Sequence, residues 1–600
     1  MPGNEKTTPS RSVKNTVCNA KYTLSLITQE KDGKLYLGRE ILQAILGSLF
    51  PIVYTVIPGL IINELSGQKR LKVIITYILV LLVTPLVQQA LNTVMKIASK
   101  KDIDRITMCA NERVFYHSID MDYENYEKPE YNVLRDRVHE TMWNLGSNTD
   151  QIISLLSSLI SMIALSSIIS ALNFWFILLI CVIVFVNSLI AKHIDGKKFV
   201  YDKERSKWNN YNWVYRNSLV YNWNMKDVRL FDMKDLLIGS WTQITEKENA
   251  ASEKSHSLGY ISAGFASVFT FIQQSLIYVF IIWNVLSGQM EIGTMTILLS
   301  GTVMFSSSLE SLARSYLRIS EESMHIDEVK KFFALSHKQI LTGDKTPVFD
   351  KDSMIEFRNV SFKYPGSQIY ALKNLSLTFH GSEKLCIVGH NGAGKTTFIK
   401  LLTRLYFPTE GEILLNGLNI YEYDLLKYQR LFAPVFQDGG AFNFTIGENI
   451  TLTSEWNDKK VEEITQESGL KALIEKQPKK YDTQIGKWLD EGGIDLSGGE
   501  EQRFKIARAI YHGGDIYLLD EPTSALDPVA EYDIYTQFDK MTSGKAAILI
   551  THRLAAVHLA DKVAVFRDGA VIEYGTHDEL YKKNGVYTEM FVKQSEFYKS

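Results

Sequence analysis

The 600-residue chain is poor in cysteine, with four residues, Cys18, Cys109, Cys181 and Cys386, and no CxxC spacing among them. That scatter excludes a zinc ribbon and a disulfide scaffold and leaves reduced structural thiols. Net charge is also nearly absent, at -3, so no global basic field calls for nucleic acid as a partner. The polar, basic opening of residues 1–15, with Pro2 and Pro9, has no apolar stretch beside it, and no cleavable signal peptide is expected. A mean hydropathy of -0.06 reads as an average soluble protein. That average hides an asymmetry: charge is missing from long runs of the first half and from none of the second.

The uncharged runs are residues 41–63, broken by Pro51 and Pro58; 73–95, containing Pro85; 151–191; 255–290; and 293–309. A membrane span needs about 20 such residues. One Arg or Lys at a helix centre costs roughly 3 kcal/mol on insertion scales, so buried helices of a soluble protein do not explain the pattern. Residues 151–191 suffice for two spans turning near Asn173, which makes six in all. Six spans return the chain to the side it started from. Lys6, Arg11, Lys14, Lys21, Lys31, Lys34 and Arg39 before the first run place that side in the cytoplasm. Lys69, Arg70 and Lys72, in the first outer connection, dissent.

Two inner connections, residues 96–150 and 192–254, are too long for structureless loops. Leu134, Val138, Met142 and Leu145 fall at helical spacing, so the spans are expected to continue as helices beyond the bilayer. Each connection has a polar-aromatic apex, at 120–129 and 227–232, and exposed Tyr, Phe, Leu and Met there suggest docking. Within the runs, Gln88, Gln89, Asn92, Gln273 and Gln274 are expected to bond helix to helix before they touch a substrate. Glu310 lies at the edge of the last run and reads as interfacial.

The second half carries the chemistry. Gly389-His390-Asn391-Gly392-Ala393-Gly394-Lys395-Thr396-Thr397 follows the apolar run at 385–388 and precedes a helical pattern. Strand, glycine loop and helix make a phosphate cradle: backbone N–H groups converge, Lys395 reaches the β/γ-phosphates, and the Thr396 hydroxyl sits on Mg²⁺. A second apolar run, 516–519, ends in Asp520 and Glu521. Asp520 is then placed to hold Mg²⁺ and Glu521 to polarise an attacking water as general base.

Leu496-Ser497-Gly498-Gly499-Glu500 opens another helix. With that motif the chain resembles the ABC transporter superfamily, specifically exporters whose membrane domain is fused ahead of the ATPase domain. The resemblance implies a multidomain membrane protein: a six-helix α-helical transmembrane domain followed by an α/β P-loop ABC ATPase domain. The expected boundaries are residues 1–36 for a cytoplasmic segment, 37–335 for the membrane domain, 336–353 for a linker and 354–600 for the ATPase. It also implies roles for single residues. Tyr364 stacks on adenine, unless it is a core tyrosine of its strand. Gln437 touches Mg²⁺ and the membrane domain, Ser524-Ala525-Leu526-Asp527 forms the D-loop, and His552 holds the γ-phosphate.

Glu500 departs from the family's usual Gln. Ser497-x-x-Glu500 is a capping-box spacing, and the carboxylate competes there with a phosphate; Arg503, one turn on, offsets its charge. One loop and one signature per chain imply half a transporter, whose ATP sites close only against a second copy or a different partner. The implied function is ATP-driven export of a small amphipathic molecule, peptide, lipid or drug, across the plasma or inner membrane. A non-transporting ABC channel or sensor is the alternative. No peptidase-like Cys/His segment precedes the first span, so leader processing is not expected.

Overall fold

A backbone in hydrocarbon must satisfy its own hydrogen bonds, and the uncharged runs accordingly form long helices. The computed structural model describes residues 13–170, 174–220, 225–335, 343–437, 439–522 and 528–599. Two units divide the chain: residues 1–116 with 134–333, and residues 117–133 with 334–600.

The first half forms α1 (Val13–Thr28), α2 (Gly33–Ser66), α3 (Leu71–Asp120), α4 (Pro129–Trp143), α5 (Leu145–Ser170), α6 (Phe174–Val220), α7 (Met225–Leu230), α8 (Lys234–Leu286) and α9 (Ile292–Phe333). Among the described residues, α2, α3, α5, α8 and α9 contain segments long and apolar enough to cross a membrane. Helix α6 opens on the uncharged residues 174–191. The 50 residues of α3 span about 75 Å, more than twice a bilayer's hydrocarbon, so the helix runs well past the membrane. Val138, Met142 and Leu145 are buried at the helical spacing read from sequence.

Small residues let α2 and α9 approach closely: a Cβ at Gly59 would lie 2.4 Å from the Gly293 carbonyl oxygen. Buried Gln273 on α8 donates to Ser306 Oγ on α9 at 2.6 Å, and Tyr54 donates to Gln88 at 2.9 Å. Both glutamines thus bond helix to helix. Glu310 accepts from Thr270 Oγ1 (3.4 Å). The dissenting Arg70 is gripped by Glu64, Nε to Oε1 at 3.0 Å and Nη2 to Oε2 at 2.9 Å. The basic opening is not all tail: α1 is a helix whose buried Asn19 donates to the Ser323 carbonyl on α9 at 2.7 Å.

The ATPase domain starts with β1 (Met354–Phe362), β2 (Leu372–His380), β3 (Lys384–Gly389), α10 (Lys395–Leu402), β4 (Glu410–Leu415), β5 (Leu418–Asn419), α11 (Leu425–Gln429) and β6 (Phe432–Val435). Four helices follow, α12 (Ile446–Thr451), α13 (Asp458–Glu467), α14 (Lys471–Glu475) and α15 (Gly498–His512). The chain closes with β7 (Ile516–Asp520), α16 (Pro528–Met541), β8 (Ala546–Ile550), β9 (Lys562–Arg567), β10 (Ala570–Gly575), α17 (His577–Lys582) and α18 (Val586–Lys599).

One sheet runs β10-β9-β3-β8-β7-β6 and is parallel from β9 to β6. Strands buried on both faces read as unbroken apolar runs, which is why β3, β7 and β8 were legible. The other sheet, β2-β1-β4-β5, is antiparallel, a layer that the α/β P-loop expectation for residues 354–600 does not by itself anticipate.

Candidate functional site

Strand β3 delivers the loop Gly389, His390, Asn391, Gly392, Ala393, Gly394 into the start of α10. Gly394 takes a left-handed backbone (φ 100°) that puts its missing Cβ 2.7 Å from the Ala371 carbonyl oxygen. Only glycine fits there. Lys395 is buried, and its ammonium donates to the carbonyls of Gly389 (2.9 Å) and His390 (3.1 Å). Burial pushes its pKa down, against the opposing pull of Glu521 and Asp520. Loop carbonyls hold the cation at the spot where phosphate oxygens converge in a loop of this kind.

Thr396 Oγ1 donates to Asp520 Oδ2, 3.3 Å away at the end of β7. Glu521, the next residue, also has a left-handed backbone (φ 48°), and its amide donates to the Ile550 carbonyl at 3.0 Å. Its Oε2 accepts from Gln437 Nε2 (3.2 Å) and lies 3.3 Å from His552 Nδ1. Four segments far apart in sequence thus meet around one carboxylate. Beside them is a cavity of about 530 Å³ lined by Gly389, Glu521 and His552, and by Met590, Lys593 and Gln594 of α18. Gln594 donates to the His552 carbonyl, a contact that nothing in the local sequence signals. Gln437 turns toward Glu521 in this arrangement.

Tyr364 is half-buried just past β1, with its hydroxyl 3.0 Å from Thr397 Oγ1 and its ring edge-on to Phe362 and Tyr406. The D-loop residues, 524–527, lie outside the described residues.

At the start of α15 the capping box is complete. Glu500 Oε2 accepts from the Ser497 amide (2.8 Å) and hydroxyl (2.7 Å), and the Glu500 amide donates back to Ser497 Oγ (3.4 Å). Gly498 and Gly499 form the first turn. The expected offset from Arg503 takes no direct ion-paired form here. Its guanidinium donates to the Gly469 carbonyl (3.2 Å) and makes no ion pair with Glu500 among the described residues. The neighbouring face of α15 went unnoticed in sequence. Glu501 accepts from the Ala441 amide, Lys505 donates to the Gln437 carbonyl, and Arg508 donates to the Gly440 carbonyl. Their i, i+4, i+7 spacing marks one helix face, and it straps the signature helix to the segment after Gln437.

The apex of the first inner connection belongs to this unit. Glu127 accepts from Lys400 Nζ on α10 at 2.6 Å and from the Tyr406 hydroxyl, while the Tyr123 ring meets Tyr406 edge-on at 5.8 Å. Docking of this apex, expected from its exposed aromatics, is observed. At the second apex Leu230 and Phe231 are 80% and 74% exposed.

Apolar helices followed by a P-loop site define a membrane-embedded ATPase. Residues 40–309 match the ABC transporter transmembrane region, and residues 372–524 match the ABC transporter ATPase family. The subtilin transport ATP-binding protein SpaT of Bacillus subtilis is 28% identical over 91% of this chain and 90% of its own length. The nisin transport ATP-binding protein NisT of Lactococcus lactis is 27% identical over 96% of both. The ATP-dependent lipid A-core flippase of Escherichia coli is 26% identical over 82% of this chain and 83% of its own. A bacterial Atm1-family ABC exporter with ATP bound superposes with a TM-score of 0.78 at 22% identity, covering 94% of this chain and 98% of that one. The chain belongs to the ABC transporter superfamily, with the exporter arrangement of a membrane domain ahead of the ATPase. It is a multi-pass membrane protein that binds ATP and couples its hydrolysis to transport.

Proposed function

We propose that the chain works as one half of a dimer that exports an amphipathic peptide across the plasma or inner membrane, with its ATPase domains in the cytoplasm. The observation that carries the hydrolytic reading is the Glu521 carboxylate held by Gln437 and His552 beside the Lys395 loop. In that reading Lys395 binds the β/γ-phosphates, Glu521 takes a proton from the attacking water, His552 steadies the γ-phosphate and Tyr364 stacks on adenine.

Thr396, Asp520 and Gln437 offer hydroxyl, carboxylate and amide oxygens, an all-oxygen set that suits Mg²⁺ better than softer metals. Bound there, the ion would neutralise charge on the transferring phosphoryl group. Asp520, buried at the end of β7 and bonded to Thr396, supports that reading.

The dimer follows from counting: one loop and one signature in a family whose sites are shared between two ATPase domains. The exposed Leu230 and Phe231 apex supports it, because large apolar groups at a helix tip seek a partner surface. A homodimer is favoured, and a different second half is the alternative; the mass of the purified complex separates them. The peptide substrate rests on the two relatives named for subtilin and nisin transport. ATP-dependent uptake of amphipathic peptides into inverted vesicles is the expected result. Nucleotide-dependent conformational change without uptake of any peptide, lipid or drug would instead favour a channel or sensor.

Replacing Glu500 with Gln tests the departure in the signature. Gln completes a capping box as Glu does, so α15 should start unchanged. The substitution removes a carboxylate that ties up the Ser497 hydroxyl and faces an incoming phosphate. The KM for ATP should fall roughly two- to fivefold. A higher KM would mean that the cap matters more than the repulsion.

A further inference from the structure

Away from the ATP site, the first unit contains a cavity of about 620 Å³ lined by residues of α2, α3 and α5. Both signs of charge line it, Glu40 and Asp150 with Lys96 and Lys100. Asp150 is within Coulombic reach of Glu40, Lys96 and Lys100, so the four groups share one space. Lys100 also pairs with Asp104 at 2.7 Å. Farther from the apolar runs, Arg39–Asp102 and Arg105–Asp32 tie α2 to α3 and brace that end.

Two polar atoms of the lining residues have nothing to bond. Ser99 is 5% exposed, and its hydroxyl and the buried Gln43 Oε1 have no hydrogen-bond partner among the described residues. Buried polar atoms in native structures are nearly always paired, so such orphans mark a place that a ligand or solvent completes.

Depth selects the ligand. Glu40 stands immediately before the uncharged run 41–63, Lys96 immediately after 73–95, and Asp150 immediately before 151–191. Residues at these junctions lie where hydrocarbon gives way to lipid headgroups. Next to the cavity α3 leaves Val94 and Ile97 each 68% exposed, an apolar face for acyl chains.

We infer that this cavity binds a phospholipid headgroup that carries a primary ammonium beside a phosphate. Glu40, Asp150 and Gln43 accept from the ammonium, while Lys96, Lys100 and Ser99 donate to the phosphate. A trimethylammonium group has no N–H to offer those acceptors, and a glycerol headgroup brings no cation to the two carboxylates. The lipid is a resident of the helix bundle, whatever the transporter exports.

The full-length protein, purified in detergent, is exposed to equal amounts of phosphatidylethanolamine, phosphatidylcholine and phosphatidylglycerol, and the retained lipid is read by native mass spectrometry. Phosphatidylethanolamine should be retained over the other two by about tenfold, as expected for charge-assisted hydrogen bonds. Lys96→Ala and Asp150→Asn should each erase the preference while leaving ATPase activity in detergent unchanged. Lys96 is exposed, so its variant keeps the test open if Asp150→Asn folds poorly. Equal retention of the three lipids, or a preference unchanged in both variants, overturns the proposal. Displacement by glycerophosphoethanolamine, which has the headgroup and no acyl chains, would reassign the site to a soluble ligand. Because the readout is lipid retention, it stands or falls independently of any transport result.

Discussion

Glu521→Gln should leave ATP binding essentially intact and lower turnover by about a hundredfold to ten-thousandfold, the usual contribution of a general base. The geometry explains why the two effects separate. Gln has the volume of Glu and keeps an oxygen for the Gln437 amide to donate to, so the left-handed backbone at this position meets no new strain. Lys395 and the glycine loop, proposed to carry the phosphate contacts, are untouched by the substitution. Only the basicity is lost. Steady-state ATPase assays and binding of a fluorescent ATP analogue measure the two quantities on one preparation. A misfolded variant would lose both together, and substantial remaining hydrolysis would remove Glu521 from the role of base. Asp520→Asn offers a contrast. There the loss should depend on Mg²⁺ concentration, because the carboxylate that accepts from Thr396 is the one that would hold the ion in the proposed site.

Much of this site was legible because its parts are local patterns. A strand, a glycine loop and a helix within 384–402 specify their own geometry, and the apolar runs of β3, β7 and β8 announce a parallel sheet. The capping box at Ser497 and Glu500 is four residues long and formed as its spacing required. The uncharged runs were equally plain, since spanning length leaves few alternatives. What escaped is long-range. Lys505 and Arg508 bond carbonyls 68 positions away, and charged residues on an exposed helix look like ordinary solvated surface. Gln594 reaches the carbonyl of His552 from a terminal helix whose own sequence carries no motif. Arg503 forms no ion pair with Glu500 among the described residues for the same kind of reason. Helical spacing brings the two within reach, but the left-handed turn at Gly469 places a carbonyl in a better position. The first apex shows the limit most clearly: its aromatics suggested docking, yet nothing in 120–129 named a partner 273 positions ahead.

That apex supports the other large effect. Glu127→Ala should cut ATP-dependent transport by about 10- to 100-fold while basal ATPase activity stays close to wild type. Lys400, which donates to Glu127, lies on α10, the helix that begins at Lys395 in the phosphate loop. Glu127 lies seven residues past the end of α3, a helix that starts in an apolar span. If α10 moves at the nucleotide, the movement would pass to this apex through one ion pair, one tyrosine hydroxyl and the Tyr123–Tyr406 edge contact. A hydrogen bond to a charged group is worth about 1.5–3 kcal/mol, roughly 10- to 100-fold in the ratio of docked to undocked apex. Burial alone would raise the Glu127 carboxyl; hydrogen bonds from Lys400 and Tyr406, with the Lys400 charge, outweigh it and hold the group below its ordinary value. A depressed carboxylate contributes fully above its undocked pKa and loses that contribution as pH falls through the docked one. Coupling should thus be flat across neutral pH and weaken only below about pH 4. Glu127→Gln, which keeps one acceptor oxygen and loses the charge, should fall between wild type and Ala. Transport and ATPase declining in equal proportion would show instead that Glu127 supports the fold of the ATPase domain, because a coupling residue moves their ratio and a structural one does not.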